Sequence, residues 1–172
     1  MKSTNKKLKN NYAFIDSQNV NLATKDMGWK LNFFRFRKYL SDKYSVKKAY
    51  LFLGYIPQNQ KMYTDLQNSG YILVFKPTLK LPDGKVKGNV DAELVLQAAL
   101  DIPNYDSAII VTGDGDFHCL IKHLDSIGKL ERVIIPNSQK YSSLLREFNN
   151  KMTFLNGLQR KLEYKNKKSG IN

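Results

Sequence analysis

Short runs of apolar residues alternate along the chain with longer segments in which apolar positions recur every three or four residues. The runs at 12–16, 46–53, 71–75, 107–112 and 130–135 are rich in Ile, Val, Leu, Tyr and Phe. Most are continuous rather than alternating, which predicts strands covered on both faces. The segments at 31–40, 57–68, 90–100, 117–127 and 138–148 read as helices, and Pro57 stands where a first helical turn tolerates it. Gly128 closes the helix at 117–127, and Pro136 stops the strand at 130–135. A last edge strand is expected at 152–155 and a last helix at 157–165. Strand and helix alternating in this way predict an α/β fold, a three-layer α/β/α sandwich around a mainly parallel sheet.

One stretch breaks the rhythm. Residues 76–87 carry a Pro82-Asp83-Gly84 turn between two short polar and apolar alternations, which predicts a small basic hairpin bearing Lys80, Lys85 and Lys87. No linker long enough to divide two domains is present. The expected organisation is a basic tail at 1–10, one domain at 11–156, and a C-terminal helix with a basic tail at 157–172.

Charge changes the picture more than composition does. The 172 residues hold 28 Lys and Arg against 15 Asp and Glu, a net charge of +13. Residues 1–10 and 160–172 each contribute +4, leaving +5 on the body. A basic body between two basic tails points to a polyanionic partner, nucleic acid first. The apolar runs fall well short of the roughly 20 residues that span a bilayer, so no membrane is expected. One cysteine, Cys119, makes neither an internal disulfide nor a cysteine-rich zinc site. With no apolar stretch after the basic residues 1–10, a secretory signal is not expected, and cytoplasmic residence follows.

Ligands of an open parallel sheet gather beyond the carboxyl ends of its strands, where strand order reverses. Asp16 follows the first strand, and Gly113-Asp114-Gly115-Asp116 follows the strand at 107–112. Asp91 lies in the first turn of the helix after the hairpin, on the same side. Each acid alone has an ordinary role as a cap, a helix-dipole partner or a turn former. Four of them at one edge need a counter-ion, and carboxylates are what Mg²⁺ or Mn²⁺ prefers. A dinucleotide loop at Gly113 is excluded because His118 replaces the third glycine and two aspartates would repel a pyrophosphate. A phosphatase with a second aspartate two residues after its nucleophile is excluded by Gln18, an amide. His118 and His123 read as packing or surface residues. The aromatic and basic residues from Trp29 to Tyr39 read as a core face backed by a solvated basic face.

Three segments, Phe14-Ile15-Asp16-Ser17-Gln18-Asn19-Val20, Lys87-Gly88-Asn89-Val90-Asp91-Ala92-Glu93-Leu94 and Val111-Thr112-Gly113-Asp114-Gly115-Asp116-Phe117, resemble the NYN family of PIN-like ribonuclease domains, the group that includes the LabA-type proteins. The resemblance covers roughly residues 11–156. It implies a PIN-like sandwich and Mg²⁺- or Mn²⁺-dependent cleavage of RNA that leaves 5′-phosphate and 3′-hydroxyl ends. Carried over, it makes Asp16, Asp91, Asp114 and Asp116 the acidic metal centre. Asn19 would orient a ligand or water, and Thr112 would support the site. Some members carry a further Asp where this chain has Gln97, which leaves the number of ions open.

The expected activity is therefore a metal-dependent ribonuclease acting on single-stranded RNA, with Lys80, Lys85 and Lys87 on the backbone phosphates. The alternatives are a non-catalytic RNA-binding regulatory module that keeps the acidic pocket, and a phosphohydrolase acting on small phosphorylated molecules.

Overall fold

The computed structural model describes residues 9–76, 82 and 90–165, together with the backbone of 79–80 and 86–87. Its central sheet has six strands, all parallel: β1 (Asn11–Asp16), β2 (Val46–Gly54), β3 (Tyr71–Lys76), β6 (Ala108–Val111), β7 (Leu130–Ile135) and β8 (Met152–Phe154). Their order across the sheet is β3-β2-β1-β6-β7-β8. Between β3 and β6 in the chain stands the expected hairpin, an antiparallel pair of β4 (Leu79–Lys80) and β5 (Val86–Lys87). Lys80 and Lys87 belong to its strands, and Lys85 lies outside the described residues.

β1 is central, and all six of its residues are buried. Ala13 and Ile15 face one layer, which holds α1 (Ser17–Asp26), α2 (Phe33–Tyr44), α3 (Gln60–Asn68) and α6 (Gln159–Leu162). Tyr12 and Phe14 face the other, with α4 (Asp91–Leu100) and α5 (His118–Ser126). Alternate side chains of one strand thus serve two cores, which is why the strand reads as continuously apolar. Phe14 stacks on Tyr50 with ring centroids 5.4 Å apart.

Local signals explain most boundaries. Asn32 caps α2, its side-chain oxygen accepting from the Arg35 amide at 3.0 Å. Gly128, at φ +71°, takes the left-handed turn that ends α5 and leads into β7. In α2, Phe36, Tyr39 and Leu40 enter the core. Arg37 donates to the Gly70, Val46 and Lys47 carbonyls, so this arginine joins strands rather than waiting for a ligand.

Two expectations are corrected and one element is added. Helix α1 follows directly on β1, in a stretch to which the apolar pattern assigns no element. The helix expected at 138–148 is instead a loop followed by a 3₁₀ segment, Ser143–Lys151. The reason is tertiary: the Ser142 amide donates to the Gly113 carbonyl at 2.9 Å and Asn137 caps the Gln139 amide, so the backbone is committed before a helix starts. The expected helix at 157–165 shrinks to α6, and the chain then extends so that Glu163 bridges Leu31. Leu162 is fully buried in the first core, so this segment packs on the sandwich. Among the described residues, no helix is long and apolar enough to cross a membrane.

Candidate metal centre

Strand order reverses between β1 and β6, each of which has its next sequential strand on its far side. At the carboxyl ends of this pair lies a cleft of about 330 Å³ lined by Asp16, Gln18, Asn19, Leu22, Val90, Asp91 and Asp114. Three of the four sequence-predicted acids therefore share its wall, and Asp116 joins them from the loop. One carboxylate oxygen from each of Asp91, Asp114 and Asp116 lies within 4.8 Å of the others.

Asp16 ends β1 and caps α1, accepting from the Asn19 amide at 3.1 Å. Its second oxygen accepts from the Thr112 hydroxyl at 3.2 Å. That hydroxyl in turn accepts from the Asp114 amide at 3.1 Å, so one buried threonine ties the ends of β1 and β6 together. Asn19 makes a second tie, its side-chain oxygen accepting from the Gly113 amide at 2.8 Å. Asp114 caps the turn after it by accepting from the Asp116 amide at 3.0 Å. Asp91 starts α4, where the helix N-terminus favours negative charge. Gln97 donates to Asp101 at 2.9 Å, so the residue that replaces the further acid is engaged within its own helix end.

Electrostatics set Asp16 apart. Burial pushes its carboxyl above the ordinary 3.8; the Asn19 and Thr112 hydrogen bonds oppose the rise, and the charges of Asp91 and Asp114 add to it. Two carboxylates about 4.8 Å apart repel by about 3 kcal/mol at an effective dielectric of about 20, less where water screens them. A divalent cation relieves that repulsion. Oxygens held on one octahedral Mg²⁺ at about 2.1 Å lie about 3.0 Å apart when adjacent and about 4.2 Å when opposite, so the three acids fit such an ion if their side chains draw together.

Close packing holds the loop. A Cβ placed on Gly115 would lie 2.3 Å from Ser142 Oγ and 2.9 Å from Ser142 Cβ. Ser142 is itself fixed as the cap of the Ser143–Lys151 segment. Gly115→Ala is expected to cost about 1–3 kcal/mol in urea unfolding, because the loop carrying Asp114 and Asp116 must withdraw from Ser142. An unchanged unfolding midpoint would mean that the contact gives way freely.

A family model, the NYN domain, matches residues 12–156. The chain belongs to the NYN domain family. Over 121 residues it is 28% identical to the low amplitude and bright protein LabA of Synechococcus elongatus, a match spanning 64% of this chain and 65% of that one. The chain thus spans just under two thirds of that curated relative. A crystal structure of a protein of unknown function from Vibrio parahaemolyticus superposes with a TM-score of 0.74 at 22% identity, covering 95% of this chain and all of that one. That likeness shows a shared fold. In this chain the acidic cleft sits at the strand-order reversal, where open α/β sheets gather their ligands.

The sequence did not mark Gln18 and Leu22 as site residues, yet both line the cleft. The capping geometry of Asp16 was the signal that could have placed them, since a helix beginning there turns both toward the edge. His118 pairs with Glu147 and packs against Phe148 with centroids 5.8 Å apart, in keeping with a packing role.

Proposed function

We propose that this NYN domain is a metal-dependent ribonuclease that hydrolyses phosphodiester bonds of single-stranded RNA. The observation that carries this reading is the meeting of Asp91, Asp114 and Asp116 oxygens within 4.8 Å at a cleft that also exposes the edge of buried Asp16. Asp16, Asp91, Asp114 and Asp116 would hold Mg²⁺ or Mn²⁺ directly or through water, Asp16 from the buried side of the cleft. When bound, such an ion neutralises charge on a phosphoryl oxygen and acidifies a water. Thr112 and Asn19 position the acids through the ties described above. Lys80 and Lys87 of the hairpin strands, together with Lys85, would meet backbone phosphates, giving affinity that falls steeply with salt.

The test is a 5′-labelled single-stranded oligoribonucleotide incubated with purified protein and Mg²⁺, Mn²⁺ or EDTA. Cleavage is expected with a divalent ion, with at least a 100-fold loss in EDTA and recovery when Mn²⁺ is restored. New ends should be 5′-phosphate and 3′-hydroxyl. Salt-dependent binding without turnover under any ion would replace this reading with that of a non-catalytic RNA-binding module. Hydrolysis of nucleotides with long RNA left intact would replace it with a small-molecule phosphohydrolase.

A further inference from the structure

A second cleft, of about 470 Å³, opens beside the acidic one, across helix α1. Gln18 and Leu22 line both, so one exposed face of α1 is their common wall. The far side is built from Ile56, the 3₁₀ turn Pro57–Asn59 that follows it and helix α3, the last two presenting Asn59 and Met62. The two clefts differ sharply in chemistry. The first is lined by three aspartates; the second has no ionisable acid or base in its wall apart from Tyr63.

Tyr63 offers its ring rather than its hydroxyl. The hydroxyl accepts from the Ile56 amide at 2.8 Å and lies 3.2 Å from the Ile56 carbonyl, to which it donates. Its ring packs on Phe75 and Tyr55, with centroids 4.7 and 6.0 Å away, so an aromatic cluster backs this part of the wall. At the rim, Leu22, Ile56 and Met62 are 56%, 47% and 44% exposed. Three large apolar side chains gathered around one opening mark a surface that takes a ligand. Amides are interspersed among them. Asn21 donates to Ser17 Oγ at 3.3 Å, which turns its amide nitrogen inward along α1 and leaves its oxygen as the acceptor.

An uncharged cleft with apolar sides and amide groups suits neither a phosphate nor a cation. It suits a flat heteroaromatic ring with donors and acceptors along its edge. We infer that this second cleft is a nucleobase subsite, holding the base of a nucleotide next to the phosphate in the acidic cleft. The inference rests on the ribonuclease reading for the identity of the polymer. It deepens that reading by supplying a reason for single-strand selectivity. A base enters a side cleft only when it is unstacked and unpaired, as in the loops and ends of RNA. Sugar and phosphate pass over Gln18 and Leu22, and the base drops between α1 and α3.

The test measures binding without relying on turnover. Fluorescence anisotropy of a labelled single-stranded ten-nucleotide RNA in EDTA is compared for the wild type, Met62→Ala and Ile56→Ala, with a duplex of the same sequence as the second probe. Both side chains are exposed enough for truncation to leave the fold intact, and a thermal melt checks this. Single-strand affinity should fall about tenfold in each variant, duplex binding should not change, and the salt slope should stay the same because no phosphate contact is lost. A 2-aminopurine base in the RNA should change its fluorescence with the wild type and less with Met62→Ala. Wild-type affinity in both variants overturns the subsite, whatever the protein does to RNA, and leaves the cleft to a protein segment or another ligand. Weakened single-strand binding by a protein that cleaves nothing under any ion supports the subsite while removing the hydrolytic reading.

Discussion

Asp114→Asn should lower Mn²⁺-dependent RNA cleavage by at least 100-fold and leave the melting temperature where it was. The second half of that statement makes the first informative. Asp114 has a structural task, capping the turn after it through the Asp116 amide at 3.0 Å. An asparagine oxygen performs the same capping, and Asn is as good at such positions as Asp. What the amide removes is one negative charge from a set of three oxygens within 4.8 Å, and with it a hard anionic ligand for the ion. Ligand loss of this kind exceeds the 10- to 100-fold, roughly, that disturbing a supporting residue costs. Steady-state cleavage and circular dichroism on the same preparation check both parts. Full activity in a cleanly folded variant would remove Asp114 from the centre.

Asp16→Asn should produce an equal loss of cleavage together with a gain in stability. Burial, with the charges of Asp91 and Asp114, holds the Asp16 carboxyl above its ordinary value of 3.8. The folded chain therefore binds that proton more tightly than the unfolded chain does. Stability contributed by Asp16 is present below the unfolded value and is lost as pH rises through the folded one. At neutral pH the ionised side chain works against the fold. An asparagine keeps the acceptor for the Asn19 amide and presents no charge, while the Thr112 hydroxyl retains lone pairs for a new donor. In EDTA the variant should melt about 2–4 °C higher, the response of a domain of this size to about 1 kcal/mol. The gap should narrow toward acid pH, and saturating Mn²⁺ should favour the wild type. A lower melting temperature in EDTA at neutral pH would mean that the two hydrogen bonds outweigh the burial.

The sandwich was legible in the sequence because its strands announce themselves. A run such as Ser107-Ala108-Ile109-Ile110-Val111-Thr112 has a single economical home, the inside of a parallel sheet. The acidic edge was legible for a related reason, since strand ends and helix starts fix where Asp16, Asp91 and Asp114 emerge. Helix α1 was not. Its ten residues bury only Ser17, Val20 and Thr24, so its apolar period is nearly absent. Its formation depends on the Asp16 cap and on packing against the sheet. The loop at 138–142 was misread for the opposite reason: its local sequence allows a helix, and a contact with Gly113, some thirty residues away, forbids one. Gln18 and Leu22 were missed with α1, and with them the cleft beyond.

Thr112 joins a strand whose partners run to β3 with one whose partners run to β8. Neither half-sheet alone contains the full set of acids, since Asp16 belongs to one and Asp114 and Asp116 follow the other. A chain emerging from synthesis, or one partly opened by heat, has no assembled centre to offer. On the proposed reading, hydrolysis would belong to the finished fold alone, because only there does Thr112 hold Asp16 and Asp114 at one edge.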